Sequence, residues 1–316
     1  METFLNSVQS VTIILLLTAT GYFCGAKGWM KKETKAFLSK FLLTVAVPCM
    51  CINGLRGNLT REMLAESLRL LAVPFACNAV NFFGAFLLAK ALKLPRRRMG
   101  VFVVMCGLSN AMFIGYTMCI ELFGEPCVPY VMLFYLANTC FTQTLAMFLI
   151  RWSAGTGQAT LAENLRFLRS PTVIAVCVGF LLVMLDLHLP SFLASYARYM
   201  SNVVSPLALL LTGYIIYEIG LKELRLDRDL SIALVCRFLV APLTYVLFCA
   251  LLNVTGLPRS TFIVEGAMPV VTQTVVAASQ YGADERFAAQ GAALSTLASF
   301  VVIPVLMVLL KVLTAS

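Results

Sequence analysis

The chain is 316 residues long, 60% hydrophobic and only 12% charged, where soluble domains run about 45–50% apolar and about 25% charged. With a mean hydropathy of +0.89, it lacks the charge that a soluble fold of this size needs to cover its surface, and so reads as an integral membrane protein. Within these 316 residues no stretch is long enough for a separate catalytic or ATP-binding domain. The net charge of +9 fits Lys/Arg-rich cytoplasmic loops rather than a nucleic-acid surface.

Runs of about 20 apolar residues predict ten spans in chain order: 5–26, 36–55, 64–89, 99–121, 127–150, 171–187, 192–219, 230–252, 260–282 and 287–310. No cationic segment or small-residue cleavage site precedes the first, which is expected to be retained rather than removed as a leader. Of the 24 Lys and Arg residues, 17 fall in the loops after spans one, three, five, seven and nine, five on the opposite side, and Arg69 and Arg237 within spans. This asymmetry makes the odd-numbered loops cytoplasmic and puts both termini on the extracytoplasmic side of a plasma membrane. The segment 158–169 has apolar residues at helical spacing and reads as a short interfacial helix.

Landmarks recur at a nearly constant shift. Gly21 and Gly179, Pro48 and Pro206, and Gly124 and Gly282 each stand 158 residues apart. Leu94-Pro95-Arg96 recurs as Leu257-Pro258-Arg259, and Arg69 with Pro74 recurs as Arg237 with Pro242. Five spans per half is an odd number, so the second half must enter the membrane from the opposite side. The expected fold is an all-α polytopic membrane protein of ten transmembrane helices in two inverted five-helix repeats. Residues 1–150 form the first repeat, 151–170 a cytoplasmic connector and 171–316 the second repeat.

In such folds the ligand binds near the midplane, where equivalent helices break. Span nine carries an interior Pro269, which removes a helix hydrogen bond and clashes one turn back; span four carries Ser109 and Asn110 near its centre. The start of a half-helix bears about half a positive charge and suits an anion. Substrate binding is therefore expected from Ser109, Asn110, Pro269, Thr272, Gln273 and Thr274. Charges inside spans are functional suspects: Glu265 reads either as a coupling group or as the partner of an arginine, and Arg69 and Arg237, at matched positions, read as structural. Asn78, Asn81, Asn138 and Gln143 read as lining the interior or bonding across helices, and Pro48 and Pro206 as kinks or hinges. Most of the eleven cysteines sit in apolar runs as small hydrophobes. No metal site, cofactor or catalytic set is expected; the only histidine, His188, lies in an outer loop.

Ala267-Met268-Pro269, the stretch Ala277 to Asp284, Leu294-Ser295-Thr296 and Ile303-Pro304 resemble the auxin efflux carrier family, which includes bacterial organic-acid permeases. So do Ser109-Asn110 through Ile114-Gly115 to Phe123-Gly124, Val47-Pro48, and Ser205-Pro206. The resemblance implies a scaffold and a transport domain, a crossover of spans four and nine, a homodimer, and movement of carboxylates such as malate, malonate or auxin by alternating access. Asparagines at the crossover contact the carboxylate in the plant members, a role Asn110 fits; beside Pro269 no asparagine stands, leaving Thr272, Gln273 and Thr274. The short central loop is that of a bacterial permease. Coupling to protons, to sodium or to neither stays open, as do a sodium carrier similar to the bile acid symporters and a membrane sensor that transports nothing.

Overall fold

The computed structural model describes residues 2–59, 61–155, 169–220 and 224–315. The expected interfacial helix at 158–169 lies, except for Arg169, outside the described residues, as does most of the 151–170 connector. Helices joined by short connections make up the fold, and among the described residues there is no strand, only a single bridge between Ser109 and Val270. In chain order they are α1 (Glu2–Ala26), α2 (Lys32–Asn58), α3 (Arg61–Ala91), α4 (Arg96–Gly107), α5 (Ala111–Phe123), α6 (Glu125–Ala154), α7 (Pro171–Met184), α8 (Ser191–Ile219), α9 (Arg228–Leu251), α10 (Gly256–Gly266), α11 (Gln273–Tyr281) and α12 (Glu285–Ala315).

Six helices (α2, α3, α6, α8, α9 and α12) are long and apolar enough to cross a membrane; shorter apolar stretches cover Thr12–Ala26, Ala111–Phe123 and Pro171–Met184. The expected fourth and ninth spans are each two helices. At 12 and 11 residues, α4 and α10 reach only about 16–18 Å at 1.5 Å per residue. That is a little over half of an apolar layer about 30 Å thick.

Local chemistry explains the boundaries. Pro95 directly precedes α4 and Pro171 opens α7, positions where a missing N–H costs nothing. Two widened π turns, Leu42–Ala46 in α2 and Cys236–Val240 in α9, enclose the carbonyls of Thr44 and Phe238. Those carbonyls lose their donors to Pro48 and Pro242 four residues on. Pro206 follows a break at Val203 in α8. Gly124 and Gly282, with φ of 74° and 72°, end α5 and α11 in a region that favours glycine.

Helix α1 packs on α8 and α7 on α2. Gly21 faces the Leu210 backbone and Gly213 the Thr18 backbone, so α1 and α8 meet main chain to main chain, and a Cβ at either glycine would collide. The connections sort into two sets by their contacts. In one, Lys35 pairs with Glu218, the Arg96 guanidinium donates to the Trp152 carbonyl at 3.3 Å, and Arg151 donates to the Tyr281 hydroxyl at 2.8 Å. Arg98 holds Asp227, Asp229 and Asp284 at 2.7, 2.9 and 3.0 Å. In the other set, Arg56 donates to the Leu187 carbonyl at 3.1 Å and Arg69 to the Leu252 carbonyl.

The buried apolar side chains form two clusters rather than one. Along α3 the first holds Cys77 and the second Phe82; along α6 they hold Phe134 and Phe141; on the two breaks they hold Ala111 and Leu108, and Met268 and Val270. Between them runs a buried polar belt containing Asn78, Asn81, Ser109, Asn110, Asn138, Arg237, Thr244 and Ser295.

Candidate functional site

The belt is organised around the two breaks. Residues 108–110 separate α4 from α5, and residues 267–272 separate α10 from α11. The two extended segments cross: the Asn110 N–H donates to the Pro269 carbonyl at 2.8 Å, and Ser109 and Val270 pair in antiparallel sense. Each segment thereby satisfies backbone groups that its helix has given up, as irregular backbone within a membrane must.

A long neighbouring helix anchors each segment. Asn138 of α6 takes both sides of Ser109, its Oδ1 accepting from the Ser109 N–H at 3.3 Å and its amide donating to the Ser109 carbonyl at 2.8 Å. Ser295 of α12 accepts from the Val270 N–H at 3.1 Å. A buried amide group left without a partner costs about 1–3 kcal/mol, so these side chains fix where the breaks fall. Asn110 caps α5, its Oδ1 accepting from the Phe113 N–H at 3.4 Å, while its amide donates to the Thr272 hydroxyl at 3.0 Å.

A cavity of about 50 Å³ lies at the crossing, walled by Ser109, Asn110 and the opening residues of α5, by Val271, Thr272 and Gln273, and by Tyr135, Asn138, Thr139 and Thr142 of α6. It has room for about three or four waters, one needing about 10–15 Å³ in this measure. The starts of α5 and α11 both open on it, and the dipoles of those helices favour negative charge at their first turns. Ser109 Oγ, buried in the wall, has no hydrogen-bond partner among the described residues.

Of the residues expected from the sequence, Ser109, Asn110, Thr272 and Gln273 come together here. Pro269 takes part through its carbonyl and does not line the cavity, and Thr274 is buried outside the lining with its hydroxyl unpaired among the described residues. The wall from α6 adds Tyr135, Thr139 and Thr142. Gln143 donates to the Gln273 side chain at 3.0 Å. Asn78 and Asn81 bond across helices instead, accepting from Tyr245 and Thr244 of α9 at 2.8 and 2.9 Å.

The charges within the helices stand apart from the cavity. Glu265, fully buried, receives the Cys119 thiol at 3.7 Å on Oε1, and its Oε2 has no partner among the described residues. It forms no ion pair with an arginine; the pairs among the described residues are those of Lys35 and Arg98. Arg237 is buried and donates to the Gly266 carbonyl, leaving Nε and Nη1 unpaired among the described residues. Arg69 is exposed and caps the α9–α10 connection through Leu252.

Residues 6–307 match the family described as membrane transport protein. The chain belongs to that family, the auxin efflux carriers. Two family relatives match it nearly end to end. One, from Methanocaldococcus jannaschii, is named an uncharacterized transporter and is 27% identical over 93% of this chain and 95% of its own length. The other, from Methanothermobacter thermautotrophicus and named in the same way, is 24% identical over 97% of this chain and 99% of its own length. Members of this family are membrane transport proteins, which accords with the apolar helices of a multi-pass membrane protein.

Proposed function

We propose that this auxin efflux carrier family member is a secondary transporter of small organic anions, carboxylates such as malate, malonate or an auxin-like acid, working by alternating access. The observation that carries the reading is the shared cavity at the crossing, where two half-helices direct their starts at one polar pocket lined by Ser109, Asn110, Thr272 and Gln273. Opposed helix starts stabilise an anion without a fixed cation, and a site free of full charges can release what it binds.

The proposed architecture has ten crossings, with α4–α5 and α10–α11 each counted as one and α1 and α7 completing the set. The two halves are inverted repeats: α1 with α7, α2 with α8, α3 with α9, the broken pairs with each other and α6 with α12. Several features support it. The anchors Asn138 and Ser295 occupy matched helices 157 residues apart, the breaks both follow a glycine (Gly107 and Gly266), and α1 on α8 mirrors α7 on α2. The sorting of connections supports an orientation in the cell membrane with the Arg98 face cytoplasmic and both termini outside. A homodimer, with the scaffold formed by helices away from the crossing, completes the reading.

The test is purified protein in liposomes, with a panel of labelled mono- and dicarboxylates. Asn110→Ala should lower transport about 10- to 150-fold, the loss expected when a hydrogen bond to a charged group worth about 1.5–3 kcal/mol is removed, while the protein remains folded in detergent. Full transport by that variant removes Asn110 from the site, and no uptake of any carboxylate by the unaltered protein overturns the anion assignment.

A further inference from the structure

We propose that Glu265 is the proton-carrying group of the transport cycle: it holds a proton while α10 and α5 are packed together, as here, and exchanges it with water when they part. The inference rests on the transporter reading above and adds the coupling ion to it.

The position is the first argument. Glu265 is the penultimate residue of α10, beside the break, yet outside the cavity. Its carboxyl lies against Gly115 of α5, so closely that a Cβ there would have no room. The one acid that is buried among the described residues therefore sits on the contact between the two broken pairs, where any opening of the crossing would be felt.

The surroundings are the second. The ionisable groups that face it are Cys119 on α5, Cys127 at the start of α6, and Tyr245 on α9; the charged Arg237, also on α9, reaches the adjacent Gly266. Helix α12, which also packs on α10, has no charged residue between Arg286 and Lys311. The thiols and the phenol carry no positive charge, and Arg237 is bound to the Gly266 carbonyl rather than to Glu265. A carboxylate sealed here would be an uncompensated buried charge, whereas the neutral acid needs only the space it has. A metal cation would require several oxygen ligands, and Glu265 has one thiol and a glycine. Packing and protonation are thus linked: the packed arrangement binds the proton, and an arrangement that moves Gly115 away hydrates the group and releases it. The step is a proton transfer between the carboxyl and water, with nothing oxidised or reduced.

Two measurements test this. The first needs no substrate: the infrared carbonyl band of a protonated carboxylic acid, recorded on purified protein at neutral pH. The band should be present in the unaltered protein and lost in Glu265→Gln; an unchanged spectrum overturns the proposal whether or not any carboxylate is carried. Should the Gln variant fail to fold, Glu265→Asp should shift the band, and an unshifted band overturns the proposal equally. The second uses malonate in proteoliposomes, corrected for protein-free vesicles. An inward gradient of about one pH unit should drive up to about tenfold accumulation per coupled proton. Glu265→Gln should bring that ratio to about one while malonate counterflow continues; tenfold accumulation by the variant overturns the proposal. If the unaltered protein carries no carboxylate of the panel, the anion assignment fails, and the infrared band alone decides the role of Glu265.

Discussion

The two breaks meet at one point but are built differently. The first is three residues long, holds no proline, and is fixed by one asparagine that satisfies both the N–H and the carbonyl of Ser109. The second is six residues long, contains Pro269, and is tied to its long neighbouring helix by one bond, from the Val270 N–H to Ser295. Where the chain supplies no covalent helix breaker, a side chain from a neighbouring helix takes its place with two hydrogen bonds; where proline interrupts the helix, one bond from such a side chain suffices. A broken helix inside a membrane is therefore a property of the partner that accepts its loose backbone as much as of its own sequence.

Mutations at the anchors turn that comparison into a ranking. Asn138→Ala leaves two buried backbone groups of Ser109 unpaired and should cost about 2–6 kcal/mol at about 1–3 each, read as thermal unfolding in detergent. Ser295→Ala strands one N–H and should cost about 1–3 kcal/mol on the same scale. Pro269→Ala keeps the carbonyl that Asn110 uses and mainly frees the unfolded chain, an effect of about 0.4–1 kcal/mol. A Pro269 variant more damaging than the Ser295 one would mean that proline, not the anchor, holds the second break. A mild Asn138 variant would mean that water or a rearranged neighbour satisfies Ser109.

How much of this was legible follows from the range of the interactions. The positions of the helices come from apolar runs, a local property, and fall close to the expected ranges. Pro269 marks the second break, and the adjacent polar pair Ser109-Asn110 marks the first, within a residue or two. The clamp by Asn138 joins residues 29 apart; the sequence offered a buried polar stripe there without saying which peptide it would hold. Ser295, in a run of small residues, gave no signal of its own. Asn110 was expected at the crossing from its place in span four; that its amide and carbonyl bond Thr272 and Phe113 depends on a contact that only the fold supplies. Glu265 could have paired with an arginine on sequence grounds. The direction in which Arg237 leaves its π turn, toward Gly266, is a tertiary fact that no local pattern encodes.

Arg98 offers a different lesson. One guanidinium ties the first turn of α4 to Asp227 and Asp229 at the start of α9 and to Asp284 ahead of α12. These are three remote stretches of chain sharing a single fastening. Any one carboxylate can leave while the others hold, but a displacement that carries Arg98 off loses all three contacts together. Such a joint tolerates the loss of one partner and is undone by moving the arginine itself. Because its members are partly exposed, the ionic strength of the surrounding solution sets how readily it gives.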